Sequence, residues 1–187
     1  MSMPNRIVLD AETTGLKPAR YRGDEILSLS IIDYEGNTLF DRLFKPRWKR
    51  RWDAASRVNG IWPEDVADAP TIETSVREIE SLLSSAETIV AYNAPFDLSF
   101  VRCLGIELPV GAAIVDTMAV FSGFRSVPDY RHGGLKRFKL AEAAAYIGYE
   151  WEGRPHRSLA DARACLAVQR WLDDRCTREP SLHVAVL

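Results

Sequence analysis

The segment 7–15 constrains the fold of this chain most, because it joins a buried strand directly to two carboxylates. Residues 7–9 (Ile-Val-Leu) form an unbroken apolar run, typical of a strand buried on both faces in the middle of a sheet. Asp10 and Glu12 follow two positions apart, so a strand places both side chains on one face. Like charges beside a core are costly unless a cation lies between them. The pattern predicts a site for Mg2+ or Mn2+, which carboxylate oxygens favour; the alternative is a strand that ends in a solvated acidic turn.

The composition limits the classes of protein to consider. The 187 residues predict a single domain over 1–187, with a core over about 5–176 and a C-terminal tail over 177–187. No apolar run approaches the ~20 residues that cross a bilayer, and the N-terminus does not resemble a signal peptide, so no membrane association is expected. The three cysteines show no ligand-like spacing and are typical of reduced thiols, which predicts a cytoplasmic location. The net charge of −2 argues against a broad grip on duplex DNA but allows a short basic groove for a strand end.

Apolar periodicity and turn residues predict an α/β fold around a mixed sheet. The expected strands are 7–12, a hairpin over 25–44, 88–91 and 112–115. Three helices are expected to follow their caps Thr71, Asn93 and Asp116, and two more are expected from Leu140 and from about Ser158. Residues 53–70 and 122–139 are expected to be irregular, because Gly, Pro and polar residues interrupt them.

Two further carboxylates lie where packing alone would not place them. Asp97 and Asp161 each open an apolar helical stripe that should face the sheet, and an unpaired buried charge is costly. Each has a simpler alternative: Asp97 could complement the helix dipole, and Asp161 could close a capping box with Ser158. Together, two carboxylates at a strand end and two at helix starts could converge into a cage for two metal ions about 4 Å apart.

His156 precedes Asp161 by five residues. On one helix that separation is a rotation of about 140°, so His156 is expected on the loop that leads into the helix. A mobile, near-neutral imidazole beside metal ions suits a general base for water, whereas a lone loop histidine is usually just exposed.

The segment 45–52 is basic and contains two tryptophans, Trp48 and Trp52. Such a run could hold phosphates and stack bases. The alternative is an ordinary solvated face.

Three segments, taken together, resemble the DEDDh family of 3′–5′ exonucleases, which includes the proofreading subunits of bacterial replicative DNA polymerases. The segments are 9–16 (LDAETTGL), 91–97 (AYNAPFD) and 156–162 (HRSLADA). Weaker agreement lies at 58–61 (VNGI) and at 116–117 (DT). The resemblance covers nearly the whole chain, and three motifs in order are far more specific than any one of them.

The resemblance implies a ribonuclease-H-like fold, in which a mixed five-stranded sheet with one antiparallel strand is flanked by helices. It implies two Mg2+ or Mn2+ ions and five catalytic residues, of which four are the metal-binding carboxylates and one is the general base. These are Asp10, Glu12, Asp97 and Asp161, with His156 as the base. The family also binds the 3′-terminal nucleotide beside the first two motifs, which carries over to Thr13, Thr14, Asn93 and Phe96.

The expected function is hydrolysis of DNA from the 3′ end, with release of nucleoside 5′-monophosphates and a preference for single-stranded or frayed ends. An exoribonuclease of the same family is the nearest alternative, since the sequence does not show which residue, if any, would contact the 2′-hydroxyl that distinguishes RNA from DNA. A ribonuclease-H-type endonuclease would not need His156, and a catalytically silent binding domain would lack ligands. A stand-alone nuclease domain is expected, with nucleic acid as partner and a polymerase or repair protein as a candidate second partner.

Overall fold

The computed structural model describes residues 5–178, which form five strands in one mixed sheet. The strand order is β3-β2-β1-β4-β5. The bounds are Arg6–Thr13 (β1), Ile26–Asp33 (β2), Thr38–Leu43 (β3), Thr88–Ala91 (β4) and Ala113–Asp116 (β5). Strand β2 is antiparallel to both of its neighbours, whereas β1, β4 and β5 are parallel. The predicted sheet with one antiparallel strand is therefore confirmed.

Residues 5–178 also form six α-helices. They are Asp53–Asn59 (α1), Val76–Ser84 (α2), Ala94–Cys103 (α3), Thr117–Arg125 (α4), Leu140–Ile147 (α5) and Ser158–Arg178 (α6). Short 3-10 helices span Pro63–Val66 and Ile72–Ser75. Apart from its first two residues, which extend α6, the predicted tail over 177–187 lies outside the described residues. No helix in the described range 5–178 is long and apolar enough to cross a membrane.

Alternation along β1 decides which face carries the carboxylates. Ile7 and Leu9 point into the core cluster that also includes residues of α2 and α3. Val8 points to the opposite face, where it packs with Ala162 and Cys165 of α6. Because side chains alternate, Asp10 and Glu12 share the face of Val8 and point toward the first turns of α6.

A polar network ties the far end of α6 to the sheet. Asp173 accepts hydrogen bonds from Arg6 Nη1 (2.8 Å), from the Tyr34 hydroxyl (2.6 Å) and from Gln169 Nε2 (2.8 Å). The Arg6 guanidinium also stacks on the Tyr34 ring at 3.7 Å. Asp173 therefore has a basic partner within the protein, Arg6, whereas Asp161 at the other end of α6 has no salt bridge with a described residue.

The expectation of irregular structure at 53–70 and 122–139 is partly wrong. Residues 53–59 form α1, and Gly60 ends that helix in the left-handed conformation (φ 66°). The Asn59-Gly60 pair therefore marks a helix end, not a loop interior. Likewise, α4 continues to Arg125, because the rings of Phe121 and Phe124 pack against aromatic residues of neighbouring segments.

The caps and Trp52 also differ from expectation. Thr71 and Asn93 occupy N-cap positions without side-chain capping bonds, whereas Asp116 caps α4 by accepting from the Met118 N–H. The expectation that Trp52 is available for base stacking is wrong, because only 6% of it is exposed. Its indole N–H donates to the Ile61 carbonyl (2.8 Å), so the Trp52 side chain is part of the core.

Candidate active site

The four predicted carboxylates meet at the carboxyl end of β1. Asp10 and Glu12 come from that strand, and Asp97 comes from the first turn of α3, where it is 2% exposed. The backbone N–H of Ala11, which lies between the two strand carboxylates, donates to Asp97 Oδ1 over 3.0 Å. The strand backbone therefore positions the third carboxylate beside the first two.

Asp161 and His156 complete the cluster from α6 and the loop before it. Asp161 is 8% exposed, and its Oδ1 accepts the backbone N–H of His156 over 3.1 Å. His156 lies before the first residue of α6, as predicted, with an exposed side chain and a left-handed backbone (φ 62°). One ligand atom from each of Glu12, His156 and Asp161 lies within 4.8 Å of the others.

The structure does not show the capping box that is the alternative for Asp161. A capping box would have Asp161 accept the backbone N–H of Ser158, but its Oδ1 accepts that of His156 instead. The Ser158 hydroxyl lies 2.6 Å from Ser28 Oγ and 2.7 Å from Ser30 Oγ. These buried hydroxyls fix the start of α6 on β2, and so help to set the position of Asp161.

Burial raises the pKa of all four carboxyls, and neighbouring carboxylates raise it further for three of them. The pKa of Asp10 and that of Asp97 rise well above the usual range, chiefly through burial and also through neighbouring carboxylates, among them Glu12 in both cases. Burial and the charge of Asp161 raise the pKa of Glu12 to about 7, although Asn59 and Arg157 oppose the shift. Burial raises the pKa of Asp161 to about 6.

The donor set fits a divalent cation. None of the salt bridges between described residues involves these four carboxylates. Several hard oxygen donors with an imidazole beside them, and without a salt bridge to any described basic side chain, form an environment that Mg2+ or Mn2+ would neutralise. Removing one partner from such a cluster should relieve repulsion in the absence of metal.

A cavity of about 310 Å3 opens beside Glu12. Its lining includes three of the four predicted substrate-binding residues: Thr13, Thr14 and Phe96. Asn93 is not among the lining residues. Its side chain accepts from Arg137 Nη2 (2.8 Å) and its backbone N–H donates to Asp116 Oδ1 (2.9 Å), so its contact with substrate stays a prediction.

Sequence reasoning did not assign the remaining walls of this cavity. Leu16, 79% exposed, lies on one side, and helix α1 supplies Ala55, Val58 and Asn59 on another. Buried Asn59 donates to the Thr13 carbonyl (3.2 Å) and accepts the Ile61 N–H (3.0 Å), so it holds α1 against the end of β1. The weak motif agreement at 58–61 was the available signal.

We expect the metal-free protein to lose stability as the pH rises from about pH 5 to about pH 8. The folded state keeps protons on Glu12 and Asp161 up to about pH 7 and about pH 6, whereas the unfolded chain releases them near its ordinary carboxyl pKa of about 4. Folding therefore takes up protons, and this part of the stability is lost as pH passes through the raised values.

Thermal melts in EDTA across this range test the expectation. Asp161→Asn should melt less steeply with pH than the wild type and should exceed it at the alkaline end. Asp173→Asn, the matched control, should lower the melting temperature at every pH with the wild-type slope. A wild-type melting temperature that rises or stays flat across the range would contradict the clustering of charge.

Comparison with known proteins agrees with this geometry. Residues 7–169 match the RNase_T exonuclease family. An uncharacterized exonuclease of Escherichia phage 186 is 32% identical, over 88% of this chain and 86% of that protein. The DNA polymerase III epsilon subunit of Rickettsia felis is 33% identical, over 87% and 71%. RNA exonuclease 4 of Mycosarcoma maydis is 28% identical over 89% of this chain, which spans only 42% of that protein.

Solved structures share the fold. Exonuclease X in complex with 5′ overhanging duplex DNA has a TM-score of 0.66 and 19% identity, covering 92% of this chain and 93% of that one. E. coli exonuclease I in complex with a dT13 oligonucleotide has a TM-score of 0.75 and 20% identity, covering 96% and 43%. With the family match over most of its length, the chain is an enzyme of the RNase_T exonuclease family.

Proposed function

We propose that this enzyme hydrolyses DNA from the 3′ end, prefers single-stranded or frayed ends, and releases nucleoside 5′-monophosphates. The observation that carries the proposal is the convergence of four carboxylates and His156 beside a cavity of about 310 Å3. Asp10, Glu12, Asp97 and Asp161 would hold two Mg2+ or Mn2+ ions. When bound, such ions lower the pKa of water and stabilise charge on the phosphate.

The size and walls of the cavity support action on a strand end. About 310 Å3 is at the lower end of the range for small-molecule sites, which suits one nucleotide better than a continuous strand. The terminal base would insert between Phe96 and the backbone near Thr13, against exposed Leu16. Insertion requires unstacking from the neighbouring base, which a frayed or single-stranded end permits at less cost than a paired end.

In this proposal His156 would accept a proton from the attacking water. Its ring is exposed on a loop, and its backbone N–H is fixed by Asp161, so the imidazole stays beside the carboxylates while reaching solvent. The water oxygen bonds to phosphorus and the bond from phosphorus to the 3′ oxygen breaks. The phosphate leaves on the 5′ carbon of the released nucleoside, and the shortened strand keeps a 3′-hydroxyl.

DNA is the proposed substrate because the epsilon relative, named as a DNA polymerase subunit, covers most of both chains. The same relative makes a polymerase or repair protein a candidate partner. RNA is the second candidate, since relatives named RNA exonuclease 4 match over a similar share of this chain.

End-labelled oligonucleotides test polarity and substrate together. A 5′-labelled single strand should give a descending ladder, and a 3′-labelled one should give labelled mononucleotide at once. Rates on blunt duplex should be lower, and Asp10→Asn should abolish all products. Immediate mononucleotide release from the 5′ label would reverse the polarity, and faster hydrolysis of the matched RNA would favour the second candidate.

Replacing His156 tests its role as the general base. We expect His156→Ala to slow hydrolysis by roughly 10²–10⁴-fold, the usual range for a general base, with little change in Mn2+ affinity. Calorimetric Mn2+ titration beside rates at saturating metal separates the two roles. If affinity collapses while the metal-saturated rate is retained, His156 is a ligand instead. His132→Ala is the matched control, since that side chain is exposed and pairs with Asp129 outside the cluster.

A further inference from the structure

A group of aromatic and basic side chains lies on two loops at the active-site end of the sheet. We define the platform by its five members: Arg20, Tyr21, Arg22, Arg47 and Trp48. The rings of Tyr21 and Trp48 meet edge to face, with centroids 4.9 Å apart. The guanidinium of Arg22 lies 5.3 Å from the Tyr21 ring, and that of Arg47 lies 4.8 Å from the Trp48 ring. Tyr21 is 63% exposed and Trp48 is 36% exposed.

Backbone hydrogen bonds hold this surface in place. The Glu25 carboxylate accepts the N–H groups of Arg47 (2.6 Å), Trp48 (2.9 Å) and Lys49 (2.8 Å). Lys49 also forms a salt bridge to Asp24 (3.0 Å), which ties the loop at 45–52 to the loop before β2. The platform is therefore preformed, so binding to it costs little ordering entropy.

The platform is linked to the active-site cavity through Glu25, which holds the platform backbone, and Thr14, which lines that cavity. Glu25 and Thr14 exchange hydrogen bonds, from the Thr14 N–H to the Glu25 carbonyl and from the Glu25 N–H to the Thr14 hydroxyl, each 2.9 Å. Arg20 and Trp48 also line a second cavity of about 150 Å3, and Phe100 of α3 lines the same cavity. Phe100 contacts Phe96 at 5.1 Å, so the two cavities lie one helical turn apart on α3.

Some basic side chains of the platform form no salt bridge with any residue in the range 5–178. Within residues 5–178, neither Arg20 nor Arg22 takes part in a salt bridge, and the Arg47–Glu73 pair is long (3.8 Å) and half-exposed. Exposed pairs of this kind contribute little and exchange readily. The chain as a whole carries a net charge of −2, so this positive surface is local and not a general feature.

We infer that the platform binds the single strand immediately upstream of the nucleotide in the active-site cavity. One base stacks on Tyr21, which Trp48 supports from its edge, and the adjoining phosphates lie beside Arg20 and Arg22. Aromatic rings beside cations form the combination that holds single strands without reading their sequence. The inference rests on the proposed function, because it extends the same strand outward from the proposed site.

Equilibrium binding tests the platform independently of hydrolysis. In an Asp10→Asn background, fluorescence anisotropy would measure the Kd of a 5′-labelled oligothymidylate of about 12 nucleotides. Tyr21→Ala should weaken binding roughly 5- to 100-fold, as expected for the loss of one stacked base, and Tyr21→Phe should stay near the parent value. Trp62→Ala is the matched control, since Trp62 is 38% exposed and lines neither cavity.

Charge is tested through the salt dependence of the same Kd. Arg20→Gln combined with Arg22→Gln should reduce the slope of log Kd against log salt by roughly 0.7 for each phosphate that the variant no longer neutralises. Arg77→Gln, at an exposed position of α2, should leave the slope unchanged. A slope equal to that of the parent in the double variant would contradict the placement of phosphates beside Arg20 and Arg22.

Two failures are distinguishable. If the Asp10-intact enzyme degrades the oligothymidylate but Tyr21→Ala binds it as tightly as the parent, the platform inference is wrong and the proposed function stands. If the intact enzyme hydrolyses no strand, the proposed function is wrong, and the Kd series still decides whether the platform holds single strands. A loss of affinity equal in Tyr21→Ala and Trp62→Ala would also overturn the inference.

Discussion

Mutual repulsion among four carboxylates at one end of β1 is the constraint on which this structure depends. A strand, two helix starts and a loop each bring polar side chains to that point. Burial raises the pKa of all four carboxyls, and like charge adds to the shift for Asp10, Glu12 and Asp97, so the cluster is unfavourable at neutral pH unless it is protonated or neutralised. Electrostatic repulsion among buried carboxylates is expected in an enzyme whose site is neutralised only when it binds cations.

The surrounding fold opposes that repulsion with fixed backbone geometry. The Ala11 N–H holds Asp97, the His156 N–H holds Asp161, and Asn59 holds α1 against the Thr13 carbonyl. At the opposite end of α6, Asp173 is satisfied by Arg6, Tyr34 and Gln169 and anchors the helix. The anchoring of α6 at both ends, together with Ser158 against β2, keeps Asp161 near charges that repel it.

Local pattern was sufficient to predict a mixed sheet and to single out the four carboxylates, whereas the single antiparallel strand was implied by the family resemblance. Local pattern was insufficient for the walls of the cavity. Asp10 and Glu12 were predictable because strand alternation is local, and Asp97 and Asp161 because each interrupts an apolar helical stripe. Trp52 was misassigned because its burial depends on the carbonyl of Ile61, which only the folded chain brings near. The contributions of Leu16 and Asn59 likewise depend on how α1 and the loop after β1 meet in space.

The most direct measurement is the position of bound metal. A crystal of the protein with Mn2+ and a nucleoside 5′-monophosphate would reveal the ions by anomalous scattering. The proposed site predicts two peaks about 4 Å apart, enclosed by Asp10, Glu12, Asp97 and Asp161, with the nucleotide base between Phe96 and the backbone near Thr13. Well-diffracting crystals with the nucleotide bound but no anomalous peak among these carboxylates would contradict it.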